Sequence, residues 1–134
     1  MSDSRTNGLP LGFTKLVVED LDKMSSFYQA LCGLTEEGRA EATIGNRPIC
    51  EVYFKSDPPG TGTFTLTKFC DARKPAGYSV ILGFIASDIN QFVETAIAAG
   101  AAMIDPVQSQ PEHGVKVAFV DDPEGNLIEV VELL

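Results

Sequence analysis

One run of structural signals occurs twice along this chain, and that doubling constrains its fold more than any other feature. Residues 13–18, FTKLVV, have the β-branched character of a strand, and the stretch after them carries Leu21, Met24, Phe27, Tyr28 and Leu31 at helical spacing. Asp20 is placed to cap that helix and Gly33 to end it. Residues 80–100, VILGFIASDINQFVETAIAAG, repeat the scheme. A strand leads to a capping Asp88, and Ile89, Phe92, Val93, Ala96 and Ile97 then share one helical face. Gln91 completes a capping box with Asp88, and Gly100 closes this helix as Gly33 closes the first.

Shorter β-like pieces follow each helix. In the first half they fall near 40–44, 49–55 and 62–68, separated by Gly45-Asn46 and by Asp57-Pro58-Pro59-Gly60. In the second they fall near 102–107, 115–120 and 126–132, separated by Gln110 to Gly114 and by Asp122-Pro123-Glu124-Gly125. The order βαβββ is thus written twice, with an offset of about 68 residues. This divides the chain into a flexible N-terminal segment (1–10), a first module (11–70), a connection (71–78) and a second module (79–134). The fold class is α+β. One helix covers only one face of a four-stranded sheet, so two modules must join. Side by side they make a cupped mixed β-sheet with helices outside and a concave inner surface suited to a ligand. The alternative is an α+β domain whose second face is closed by a partner chain.

Composition narrows the function. Ten Lys and Arg against nineteen Asp and Glu give a net charge of -9, which repels a phosphate backbone, so no nucleic-acid partner is expected. No apolar run reaches the roughly 18 residues that cross a bilayer, and the first residues lack a signal peptide, so no membrane partner and a cytoplasmic location are expected. Cys32, Cys50 and Cys70 are odd in number and form no C-x-x-C pair. They read as buried thiols, with neither a disulfide framework nor a thiolate zinc site.

Two stretches carry a family likeness: VVEDLDKMSSFYQALCGL at 17–34 and FVDDPEGNLIEVVE at 119–132. Together with the doubled βαβββ order they resemble the vicinal oxygen chelate superfamily, which includes glyoxalase I, bleomycin-resistance proteins, fosfomycin-resistance enzymes and extradiol dioxygenases. The resemblance covers residues 11–134. It implies the glyoxalase/bleomycin-resistance fold, a homodimer, and, in metal-dependent members, a divalent ion held by inward His, Glu or Gln side chains on the first and last strand of each module. Counting seven residues back from Asp20 and from Asp88 places Phe13 and Ile81 at two of those positions, and the last strands offer Thr65 and Glu129. A register two residues off presents Lys15 or Gly83 instead. One carboxylate and one hydroxyl do not hold zinc or a hard divalent ion against water, so no metal cofactor is expected; a divalent metal would mean that the counting is wrong. His113, in Pro-Glu-His-Gly, reads as a loop residue, and Asp-Pro-Glu-Gly-Asn at 122–126 reads as a tight turn in which Gly125 takes a positive φ.

Alternation along the strands turns Phe13, Lys15, Val17, Thr63, Thr65, Thr67, Ile81, Gly83, Ile85, Leu127, Glu129 and Val131 toward the cup. The ligand-binding residues expected from this wall are Phe13, Thr65, Thr67, Ile81, Gly83 and Leu127, with Gly83 leaving room for a guest. Glu129, among Phe13, Ile81 and Leu127, would lose hydration, which favours its protonated form and suits it to proton transfer, with Lys15 or the threonines stabilising an oxyanion. The bland reading is a Glu129–Lys15 ion pair. Glu51 and Tyr53 share one face of a neighbouring strand and either join the site or point outward. The function expected is a metal-free protein binding a small organic molecule, with the acidic balance favouring a cationic guest. The alternatives are a metal-dependent enzyme resembling lactoylglutathione lyase or a dioxygenase, a metal-independent isomerase or epimerase using Glu129, and a structural or interaction module.

Overall fold

The computed structural model describes residues 13–44, 47–55, 63–71 and 80–134. The N-terminal segment 1–10, the turns at Gly45-Asn46 and Asp57 to Gly60, the connection from residue 72 and the side chain of Thr63 lie outside the described residues.

Each module follows the expected order. The first comprises β1 (Phe13–Val17), α1 (Leu21–Cys32), β2 (Glu36–Ile44), β3 (Arg47–Phe54) and β4 (Thr63–Phe69). The second comprises β5 (Ile81–Ile85), α2 (Ile89–Ala98), β6 (Ala102–Gln110), β7 (Val115–Asp121) and β8 (Leu127–Leu133), with one 3-10 turn at Pro111–His113. Helix α1 starts where Asp20 accepts the amide of Lys23 at 3.0 Å and stops at Gly33, whose φ of 67° only glycine adopts cheaply. Helix α2 starts in the same way, Asp88 accepting from the amide of Gln91 at 3.1 Å.

Two strands run longer than their sequence suggests. Strand β2 begins at Glu36 rather than near 40, because Glu-Glu-Gly-Arg has no apolar alternation of its own and is made extended by its ladder to β3. Strand β6 continues to Gln110 along β7 through two register shifts, which absorb Pro106 and blur the period of two.

The strands form two four-stranded mixed sheets, ordered β1-β4-β3-β2 and β5-β8-β7-β6. The first strand of each module lies parallel to its last, and the remaining pairs are antiparallel. Both sheets turn their helix-bearing faces into one core. Leu16, Val18, Val52, Phe54 and Leu66 of the first sheet join Val120 and Ile128 of the second around Met24, Phe27, Tyr28 and Leu31 of α1. Burying a side chain of this size is worth about 1.5–3 kcal/mol, so this shared layer is the main source of stability. Tyr28 sits at its centre, fully buried, edge-on to Phe27 and Phe64 with ring centroids 4.9 and 5.1 Å away.

The turn at 122–126 clasps the modules together. Asp122 accepts the amides of Glu124 and Asn126, each at 2.9 Å, which shapes the turn, and its other oxygen accepts the Tyr28 hydroxyl at 2.7 Å. Glu124 reaches further, accepting the amides of Glu19 and Asp20 at 2.8 Å in the loop that opens α1. Burial, followed by the charge and hydrogen bond of Asp122, raises the Tyr28 hydroxyl far above its ordinary pKa, so it serves as a permanent donor.

The cysteines depart from the expectation of three buried thiols. Cys32 is half-buried, and burial pushes its thiol up to about 12. Cys50 is also half-buried, and Cys70, just past the end of β4, is exposed. Cys50 and Cys70 join no core cluster, whereas Cys32, at the end of α1, packs against the core.

Candidate functional site

In β1, Leu16 enters the core, so Phe13, Lys15 and Val17 emerge on the other face of the sheet. The ladder then sets what stands beside them. Lys15 is level with Thr65, and Thr65 with Tyr53; Val17 is level with Thr67, and Thr67 with Glu51. Glu51 therefore joins this wall. Its carboxylate accepts from Lys15 Nζ at 2.7 Å and from the Thr67 hydroxyl at 2.8 Å through the same oxygen. Burial pushes the Glu51 carboxyl up, but the hydrogen bonds from Lys15 and Thr67 and the lysine charge outweigh it, and the group titrates below its ordinary value.

That shift has a sign. A depressed folded pKa contributes stability above the unfolded value, near 4.3, and loses it as the pH falls through the folded value. Glu51→Gln is expected to narrow the stability gap between neutral and acid pH, read as urea midpoints at pH 7 and pH 3. The effect is at most about 1 kcal/mol because Lys15 is partly exposed. Equal midpoint losses at both pH values would show that the pair does not act through its charge.

The second wall repeats the plan with different chemistry. Glu129 stands level with Gly83 on one side and Phe119 on the other, with Ile81, Leu127 and Val131 in the adjacent rungs. No ion-pair or hydrogen-bond partner contacts the Glu129 carboxylate among the described residues. Lys15, the partner expected for it, is engaged by Glu51 instead, because the neighbouring strand brings that carboxylate onto the same face. Space for a guest is present at Gly83, where a Cβ would have nothing within 4 Å. Phe13, Ile81 and Ile85 are 58%, 52% and 76% exposed, which leaves hydrocarbon in water on both walls.

The expected site residues divide in this way: Lys15, Thr65 and Thr67 lie on the first wall, and Ile81, Gly83, Leu127 and Glu129 on the second. Phe13 meets Ile81 and Gly83 at a cavity of about 480 Å³ between β1 and β5, whose lining also includes Phe64 and Phe84. His113 is exposed in its 3-10 turn, away from these walls. Among the described residues no group of three or more His, Cys, Asp or Glu is placed to hold a metal ion, and no helix is long and apolar enough to cross a membrane.

Sequence reasoning left Glu51 undecided, although its alternation with Val52 and Phe54, which enter the core, was the usable signal. The clasping action of Glu124 had no signal at all, since its partners lie more than 100 residues earlier in the chain.

A model of the glyoxalase-like domain matches residues 14–131 of the chain. No curated protein matches it. Among solved structures, a glyoxalase family protein from Bacillus cereus superposes with a TM-score of 0.77 at 23% identity, covering 99% of both chains. A glyoxalase/bleomycin resistance protein/dioxygenase family enzyme from Burkholderia phytofirmans PsJN gives 0.71 at 21%, covering 94% of this chain and 100% of that one. Glyoxalase I from Zea mays gives 0.72 at 20%, with 92% of this chain matching 46% of its own. At these identities the likeness shows a shared fold.

Proposed function

The chain belongs to the glyoxalase-like domain family, and from that membership we propose that it binds a small organic cation with an apolar body on the two walls described above, without a resident metal ion. One observation carries the reading. Where metal-dependent relatives are expected to place ligands, this chain has Phe13, Ile81, the buried hydroxyl of Thr65 and a single carboxylate, Glu129. That donor set does not fit a divalent ion.

The remaining chemistry suits a guest of opposite charge. Among the described residues no cation stands beside the Glu129 carboxylate, which is framed by Phe119, Ile81 and Leu127, so a charged nitrogen attached to an aromatic or aliphatic body satisfies both charge and hydrocarbon. The net charge of -9 draws such a molecule in. On the first wall the Lys15–Glu51 pair is already neutral, leaving Tyr53 and Phe13 as contact surface. A homodimer fits the same walls, because pairing would cover Phe13, Ile81 and Ile85.

The Glu129 carboxylate, unpaired among the described residues, also supports a second reading, in which it removes a proton next to a substrate carbonyl as a metal-independent isomerase or epimerase. The engagement of Lys15 with Glu51 argues against it, since that cation is not free to stabilise an enolate.

Elemental analysis of purified protein, after incubation with zinc and manganese and then desalting, is expected to find well under one-tenth of an equivalent of metal. Fluorescence titration with a cationic aromatic dye such as ethidium is expected to saturate at one site per module pair, and Glu129→Gln to weaken it about tenfold or more, roughly 1.4 kcal/mol. Stoichiometric metal would overturn the metal-free reading, and unchanged dye affinity in Glu129→Gln would remove the cation site.

A further inference from the structure

We propose that Cys50 and Cys70 form a peroxide-responsive thiol pair, a covalent modification site toward the end of the β3–β4 ladder that closes to an intrachain disulfide. The two sulfur atoms already lie 3.4 Å apart. Cys50 sits in β3 and Cys70 directly follows β4, and the amide of Cys70 donates to the carbonyl of Pro48 at 3.0 Å, so backbone pairing holds the second thiol against the strand that carries the first. The flanking residues are tied as well. Arg47 is clamped to Asp71 at 3.0 Å and lies 4.0 Å over the Phe69 ring. The sulfurs have little more than 1 Å to close before they bond at about 2.05 Å.

Cys50 alternates with Glu51 along β3, so the pair is on the face opposite the ligand wall and takes no part in the binding proposed above. Charged neighbours in the ladder are Lys68 from β4 and Glu41 from β2, which stand on either side of Cys50.

Exposure sets the order of events. Cys70 is exposed and meets oxidant first, whereas Cys50 is half-buried, and its hydrogen bond with Cys70 holds its thiol above the ordinary value. The Cys70 sulfur attacks one oxygen of hydrogen peroxide, the O–O bond breaks, and the departing hydroxide leaves as water with the Cys70 proton. Cys70 is then a sulfenic acid. The Cys50 sulfur attacks it, the S–O bond breaks, and the second hydroxide leaves as water with the Cys50 proton as the S–S bond forms. Two thiols and one peroxide thus give one disulfide and two waters, and a dithiol reductant reverses the change. Cys32, whose thiol is pushed up to about 12, is the built-in inert control.

Brief treatment of the full chain with hydrogen peroxide, followed by alkylation under denaturing conditions, is expected to leave one alkylatable thiol per chain in place of three. The intact mass should fall by two hydrogens, and a non-reducing peptide map should join Cys50 to Cys70. Cys50→Ser and Cys70→Ser should each abolish the cross-link, while Cys32→Ser should leave it unchanged. A bond to Cys32, a disulfide between chains, sulfinic acid without a cross-link, or three persisting thiols would each overturn the proposal. The wild-type map decides the matter even if a serine variant fails to fold.

Discussion

Asp122→Ala is expected to destabilise the protein by about 3–5 kcal/mol, the largest effect of any single polar substitution in the described residues. Asp122 accepts hydrogen bonds from two turn amides, from the Asn126 side chain and from the Tyr28 hydroxyl. Alanine removes both acceptor oxygens and so all four bonds at once. The Tyr28 hydroxyl, in a fully buried residue, then has no replacement acceptor, and an orphaned buried donor costs about 1–3 kcal/mol beyond the bond itself. Urea unfolding followed by circular dichroism measures the loss. Tyr28→Phe removes the hydroxyl together with its need for a partner and should cost only about 1–2 kcal/mol. The double variant should be less unstable than the sum, because each single change destroys the same contact. Strict additivity would mean that Tyr28 and Asp122 do not couple the modules.

Gly83→Leu should do the reverse, leaving stability within about 0.5 kcal/mol of the parent while reducing dye affinity by a hundredfold or more. A Cβ at this position meets nothing within 4 Å and Gly83 has an ordinary strand conformation, so the fold accepts the side chain. The added isobutyl group would fill the space beside Glu129, its partner in the ladder. Affinity is read by the ethidium titration and stability by urea midpoint. Retained affinity would place the guest elsewhere than beside β5.

Much of the architecture was legible because it depends on local signals. Asp20 and Asp88 announce two helix starts, Gly33 ends the first helix, and the alternation of Phe13, Lys15 and Val17 against Leu16 fixes which face of β1 is dry. The site was less legible because contacts between distant segments decide it. Lys15 and Glu129 look like natural partners on paper, yet Glu51, from a strand that reaches the first wall through β4, takes the lysine. Strand β2 was cut short for a related reason, since Glu36 and Glu37 owe their extended conformation to a neighbour rather than to their own propensity. Cys50 and Cys70 looked like isolated core thiols because their meeting requires the antiparallel ladder of β3 with β4.

The single layer of side chains shared by both sheets has a consequence for how such a chain can change over generations. Most of its buried hydrocarbon belongs to that layer, whereas Phe13, Ile81 and Ile85 are exposed and add little to it. Mutational drift on those outer positions is therefore cheap, and the scaffold can trade one guest for another, or lose an ancestral ion, without passing through an unfolded ancestor.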